Sequence, residues 1–181
     1  MFKKKLEQIL KMTPVFNVVI KYFDGIKFSP IGLNCNDWVM VIVLDMEGNT
    51  IVVKQTRWGI EGETIEFPCG TVEKGESPQI AALRELKEET GFEPDNEDTM
   101  RHFASFSPNP AYFNNHMHVY IIRTSQKLKD LKLKPAKLDP TEDCKPYVVQ
   151  SFSPTLIQDL SQHAFGLIGV FALTRLQRPV A

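Results

Sequence analysis

The sequence has few cysteines, no long apolar run and almost no net charge, and each shortage narrows its chemistry. Cys35, Cys69 and Cys144 are the three cysteines of 181 residues. An odd number without metal-site spacing argues against a disulfide framework. No apolar stretch reaches the roughly 18 residues that a membrane-spanning helix needs. The "LEQILKMTP" that follows "MFKKK" is too polar and too short for a secretory apolar segment. The expected location is the cytoplasm, with no membrane contact. Lys and Arg number 21 against 22 Asp and Glu, a net charge of −1, so binding of nucleic acid through bulk positive charge is not expected. There is no internal repeat and no low-complexity tract.

What remains is an ordinary globular composition, 43% hydrophobic and 24% charged, in a chain long enough to bury its own core. Residues 1–181 therefore read as a single domain. The charge within it is uneven. Residues 61–98 hold twelve acidic side chains against three basic ones, while the rest of the chain carries eighteen basic and ten acidic. Such a block is either a solvated face or a cation site.

The element order follows from periodicity. Leu6, Ile9 and Leu10 stand at helical spacing within residues 3–12, before Thr13-Pro14. Strands are expected at 15–23, 37–44, 50–54, 63–67, 101–106, 116–122 and 146–152, with "DMEGN" as a hairpin connection between the second and third. The Lys-rich stretch 124–137 reads as a solvated connector. Ser153-Pro154 opens a C-terminal helix with Ile157, Leu160, Ala164, Leu167 and Phe171 on one side. Strands, a central helix, more strands and a last helix suit an α+β arrangement with helices packed on a mixed sheet.

The central helix, residues 78–90, carries the chemistry. Ser77 can cap it, Pro78 suits its first turn and Gly91 suits the position past its end. On a helical wheel Ile80, Leu83 and Leu86 share one arc, and Glu85, Glu88 and Glu89 share the opposite one. Like charges three and four residues apart repel, and Arg84 is one available partner. Converging carboxylates suit a hard divalent cation such as Mg²⁺ or Mn²⁺. Upstream, "FPCGTVEKGES" is a glycine-punctuated loop. It can bring a backbone carbonyl to a metal, or N–H groups and a helix N-terminus to a phosphate.

The stretch "GTVEKGESPQIAALRELKEETGF" (70–92) resembles the Nudix box, with Gly70, Glu76, Arg84, Glu85, Leu86, Glu88, Glu89, Gly91 and Phe92 at the required spacing. Seven fixed identities make a chance match on the order of 10⁻⁹ per window at ordinary residue frequencies. The flanks "DWVMVIVLDMEGNTIVVKQTRWG", "IEFPCG" and "HAFGLIGVFAL" are similar to the ADP-ribose pyrophosphatase-like Nudix enzymes. So is Pro108, sixteen residues past the box.

The resemblance implies a Nudix fold, an α/β/α sandwich around a mixed sheet, with residues 1–36 as an N-terminal extension or hairpin. It implies Mg²⁺- or Mn²⁺-dependent hydrolysis, with two or more ions, of a nucleoside diphosphate linked to another moiety. ADP-ribose or an ADP-sugar is the leading substrate class. Dinucleoside polyphosphates, nucleoside triphosphates or dinucleotide cofactors are the alternatives, as is a nucleotide-binding regulator without turnover.

By resemblance, Glu85 and Glu89 are the main metal ligands and catalytic residues. Glu88 is a further ligand, and the Cys69 carbonyl a backbone one. Arg84 and Glu76 orient the glutamates. Arg57, Glu66 and Pro108 fall on the substrate side. Glu142 matches the position of the catalytic base, with Asp139 and Asp143 beside it in "LDPTEDC". A homodimer is implied too, residues 15–28 completing the partner's pocket. Outside the match, His116 and His118 read as surface or groove-lining residues or a metal pair. Cys69 reads as structural, for want of a flanking base. Trp58 either stacks on a base or packs.

Overall fold

A computed structural model of the chain describes residues 4–11, 16–23, 31–95, 100–138 and 143–176. Among the described residues, ten strands and three helices are arranged as an α/β/α sandwich around a mixed sheet, the architecture expected from the sequence. The strands are β1 (Lys4–Lys11), β2 (Phe16–Phe23), β3 (Ile31–Cys35), β4 (Trp38–Leu44), β5 (Asn49–Arg57), β6 (Gly62–Glu66), β7 (Cys69–Thr71), β8 (Met100–Phe106), β9 (Met117–Arg123) and β10 (Lys145–Gln150). The helices are α1 (Pro78–Thr90), α2 (Pro154–Leu160) and α3 (Ala164–Leu176).

The main sheet runs β10-β5-β4-β9-β8, with β6 joined to β5 and β7 to β4. Strand β4 pairs parallel with β9, and the other pairings in this sheet are antiparallel. Covered on both sides, β4 is apolar throughout, "WVMVIVL". Val39, Val41 and Val43 enter the core beneath α1, while Met40, Ile42 and Leu44 enter the one beneath α2 and α3. Strands β1, β2 and β3 form a second, three-stranded antiparallel sheet.

Helix α1 has the expected boundaries. The Ser77 hydroxyl accepts the Ile80 N–H at 3.3 Å, Pro78 opens the first turn, and Gly91 closes the helix at φ 71°. That left-handed angle suits glycine. A side chain there would also collide with the Lys134 carbonyl.

Four local expectations are corrected. Residues 4–11 form β1 rather than a helix, because β2, rich in Val, Ile, Phe and Tyr, offers a ladder along the whole segment. An isolated helix of that length is marginal. The "DMEGN" turn forms, with Gly48 at φ 79°, but β4 and β5 pair there only at Leu44 and Thr50; β5 then follows β10 and β6. Stretch 124–137 is not wholly solvated. It holds a 3₁₀ turn, Leu128–Asp130, whose Leu128 is fully buried, and Leu131 and Leu133 pack on the same core.

The C-terminal helix is two helices, broken at residues 161–163. At that break Gly166 approaches so closely that a Cβ would lie 1.8 Å from the Leu160 carbonyl oxygen. The inward face of α3 is Gly166, Gly169, Ala172 and Leu173, whereas Leu167 and Phe171 stay largely exposed.

Candidate active site

Helix α1 turns one side toward the sheet and lays its carboxylates along a cleft of about 690 Å³, a size that suits a small organic ligand. Glu85, Glu88 and Glu89 line one wall together with Cys69, and Arg57 stands in the same cleft. The helical-wheel reading needs one change. Buried positions are Ala81, Ala82, Leu86, Glu89 and Thr90, while Ile80 is exposed. Glu89 thus belongs to the inward face, and its carboxylate is only 4% exposed.

Burial, together with the nearby Glu85 charge, pushes the Glu89 carboxyl up to about 8. Hydrogen bonds offset this only partly. The Cys69 N–H donates to Glu89 Oε2 at 3.1 Å, and the Cys144 thiol donates to Oε1 at 3.6 Å. A carboxylate so placed favours either a proton or a cation beside it.

Arg84 organises the rest of this wall. Its guanidinium donates to both oxygens of Glu76 at 2.9 Å, to Glu85 at 2.8 Å, to Glu88 at 3.0 Å and to the Thr71 carbonyl at 2.8 Å. The hydrogen bonds to Glu76 raise its pKa further, against burial, and Arg84 in turn holds Glu76 below the usual carboxylate range. The sequence allowed Arg84 one helical partner; the fold gives it four. Lys137 adds an ion pair to Glu88 at 3.8 Å.

Gly70 is required for contact rather than for a turn. A Cβ there would lie 2.0 Å from the Glu85 carboxyl carbon, so Glu85 rests directly on the backbone beside Cys69. The donors are hard oxygens, which fit Mg²⁺ or Mn²⁺ in type. Among the described residues no three of His, Cys, Asp and Glu converge tightly enough to cage an ion. Arg84 Nη1 is bonded to Glu85 and Glu88, so a cationic group already meets these oxygens.

In the same cleft, Arg57 and Glu66 form a bidentate pair, with Nε–Oε1 at 2.8 Å and Nη2–Oε2 at 2.7 Å, and Arg57 Nη2 also donates to Cys69 Sγ at 3.7 Å. Glu66 is 3% exposed and lies behind Arg57, not on the cleft wall. Burial drives its carboxyl up. The Arg57 hydrogen bonds and charge outweigh that and hold it below the ordinary range. Glu66, expected on the substrate side, reaches the cleft through Arg57.

Other candidates separate. Pro108 lies between β8 and β9 and is partly buried. Trp58, next to Arg57, is 75% exposed and packs on nothing that would bury it. His118 bonds Asp37 at 3.1 Å and Ser105 at 2.8 Å, a surface network away from the cleft. The Cys69 thiol is pushed well up by burial and by the Glu66 and Glu89 charges, in keeping with a structural thiol. Glu142 and Asp139 lie outside the described residues.

Asp143, described, accepts the Thr56 N–H and hydroxyl, each at 2.8 Å. This contact, the donation of the Cys69 thiol to Glu66 Oε2 at 3.6 Å and that of the Cys144 thiol to Glu89 were not foreseen. The partners stand 87, 3 and 55 residues apart, and nothing in the local pattern links them.

Residues 37–162 match the NUDIX domain family. A methanol dehydrogenase activator of Bacillus methanolicus is 36% identical over 104 residues, 58% of this chain and 52% of that protein. An ADP-ribose pyrophosphatase of Bacillus subtilis (strain 168) is 35% identical over 92 residues, 51% of this chain and 48% of that protein. The chain thus spans about half the length of these curated relatives. Among solved structures, an ADP compounds hydrolase superposes with a TM-score of 0.66 at 19% identity, covering 97% of this chain and 93% of that one.

Proposed function

The chain belongs to the NUDIX domain family, and on that premise we propose that it hydrolyses the pyrophosphate bond of a nucleoside diphosphate linked to a second moiety. ADP-ribose or an ADP-sugar is the substrate class, with AMP and a sugar phosphate as products. The observation that carries this reading is the surplus of carboxylates along the cleft, with Glu89 buried and its pKa raised, together with a guanidinium, Arg57, held in the same cleft.

Glu85, Glu88, Glu89 and the Cys69 carbonyl would hold Mg²⁺ or Mn²⁺, two or more ions. Such ions would supply neutralisation of phosphate charge and a water of lowered pKa. Arg84 orients Glu85 and Glu88, and releases their oxygens when a stronger cation competes. Gly70 lets Glu85 settle against the backbone. Arg57, held by Glu66 through Nε and Nη2 and by Cys69 Sγ through Nη2, keeps Nη1 for a phosphate or a stacked base. Glu66 thus acts through Arg57 rather than on the substrate, and Pro108 shapes the loop on that side. Glu142 takes the proton of the attacking water.

The remaining expectations stand as part of this proposal. Residues 1–181 form one domain, with 1–36 as an N-terminal extension or hairpin, acting in the cytoplasm as a homodimer. Residues 15–28 would complete the partner's pocket; of these, 16–23 form β2 and the others lie outside the described residues. No described helix is long and apolar enough to cross a membrane.

A nucleotide panel with Mg²⁺, read by phosphate release after phosphatase coupling, tests the activity. Turnover of ADP-ribose or an ADP-sugar above dinucleoside polyphosphates and triphosphates is expected. Tight nucleotide binding without turnover would replace the proposal with a regulatory role. Glu142→Gln should slow turnover by roughly 10²–10⁴; less than threefold would remove it as the base.

A further inference from the structure

Ser105, His118 and Asp37 stand outside the cleft and take no part in the hydrolysis proposed above. They meet because strand β8 is irregular. In a regular strand, residues three apart point to opposite faces. The register of β8 on β9 shifts between His102 and Ala104, so that His102 pairs with Tyr120 and Ser105 with His118, two positions on one face of β9. The extra residue brings the Ser105 hydroxyl to the histidines. Bulges recur beside active sites, where they re-aim a side chain.

The hydrogen bonds assign the roles. Asp37 Oδ2 stands 3.1 Å from His118 Nε2. A carboxylate only accepts, so Nε2 carries the hydrogen, and Nδ1 of the neutral ring is the acceptor. Ser105 Oγ lies 2.8 Å from that Nδ1, so its hydroxyl donates to a nitrogen that can take the proton. His102 Nε2, at 3.0 Å, holds the same oxygen as a donor.

Asp37 is itself fixed. Its Oδ1 accepts the His116 N–H at 2.8 Å, and its carbonyl accepts the Val72 N–H at 2.8 Å. Burial raises its carboxyl, but the His116 N–H and the two histidines outweigh that and hold it below the ordinary range. Ser105 is exposed while the His118 side chain is mostly covered, so the oxygen can meet a reagent while the base stays held. A hydroxyl, a base within hydrogen-bond reach and a group that orients the base are the parts of an activated nucleophile.

We propose that Ser105, His118 and Asp37 form a second reactive site, an acyl-transfer site on the strand pair β8–β9 at the edge of the main sheet, which takes small activated esters. Ser105 Oγ attacks the ester carbonyl carbon while its proton passes to His118 Nδ1. The bond to the leaving oxygen breaks, and that oxygen departs with the proton from His118. Water then attacks the acyl-serine and gives a proton to Nδ1. The carboxylic acid leaves as that proton returns to Ser105 Oγ. Asp37 keeps its charge throughout and orients the ring. An exposed serine suits acyl donors that react without being held, hence the small and activated class.

The test treats the full chain with p-nitrophenyl acetate, without Mg²⁺, and locates the acetyl group by peptide mapping. Base assistance is worth roughly 10²–10⁴, so Ser105 should be acetylated at least about a hundredfold faster than other exposed serines of the same chain. Ser105→Ala should remove this label and slow p-nitrophenol release. His118→Gln should slow labelling of Ser105 by about a hundredfold or more. Asp37→Asn should slow it at least about tenfold, because an amide can hold the ring in the wrong tautomer. His102→Gln should keep most of the labelling, since His102 donates to the oxygen rather than taking its proton. Ser105 labelled no faster than the other serines overturns the site. So does release unchanged in Ser105→Ala, labelling unchanged in His118→Gln, or a larger loss in His102→Gln than in His118→Gln. The wild-type labelling ratio needs no variant, and it decides the proposal if a substitution unfolds the chain.

Discussion

Two charged clusters face one cleft and are built on opposite principles. On the α1 wall one guanidinium, Arg84, serves Glu76, Glu85 and Glu88, with Glu89 buried beside them. On β5 and β6, Arg57 in the cleft and Glu66 buried behind it match one to one. The first cluster is short of positive charge, and the second is balanced. A balanced pair is a fixed object, whose partner pins a donor in place. An unbalanced cluster is a receptor, whose stability depends on what arrives to neutralise it. The cleft thus joins a cluster rich in carboxylates to a pair that presents a guanidinium.

The sharpest way to break this contrast is Glu89→Gln. Outer-shell partners of a metal site typically cost ten- to a hundredfold when lost, so removal of a ligand should cost more than about a hundredfold in kcat/KM. The circular dichroism spectrum should be unchanged, because the amide keeps the shape.

The same substitution should alter stability with a defined sign. Folded Glu89 keeps its proton to about pH 8, whereas the ordinary value is 4.5. Between these values unfolding releases a proton. The metal-free protein should therefore lose stability as pH rises through that window, and level off above it. The loss is on the order of a few kcal/mol. Glu89→Gln should flatten that decline, as seen in urea titrations at pH 5 and pH 8. Added Mg²⁺ should restore stability more at pH 8 than at pH 6 in the wild type, and little in the variant; an equal Tm shift at both pH values would contradict the assignment.

Arg84→Ala tests the organiser of the unbalanced wall. Activity should fall roughly ten- to a hundredfold, partly recovered at higher Mg²⁺, since the glutamates remain but lose their common partner. The balanced pair should respond least. Glu66→Gln keeps an acceptor near Arg57 but removes its charge, so KM should rise roughly fivefold, the equivalent of about 1 kcal/mol, with kcat nearly unchanged. A kcat loss as large as that of Glu89→Gln would erase the distinction between the two clusters.

Much of this was legible in advance, and the failures share a cause. The bounds of α1 could be read because Ser77, Pro78 and Gly91 act within one turn of the helix ends. The glutamate spacing could be read because residues three and four apart meet on a helix. The direction in which that face points could not. Ile80 looked like core and is exposed, and Glu89 looked like surface and is buried, because the wheel shows relative angles but not what packs against them. Helical spacing over residues 3–12 gave way to β2, and the single C-terminal helix to a break where Gly166 meets Leu160.

Order along the chain therefore determined most of the main-sheet strands, where α1 begins and ends, and that three glutamates and an arginine share it. Only the folded chain decided which carboxylate is desolvated, which guanidinium is held by whom, and that Asp143 reaches Thr56 across 87 residues. The physical reason is range. Caps, turns and helical periodicity act within a few residues and leave their marks in the local pattern. Burial, pKa and ion pairing depend on what stands nearby in space, and that is set by sheet order and layer packing.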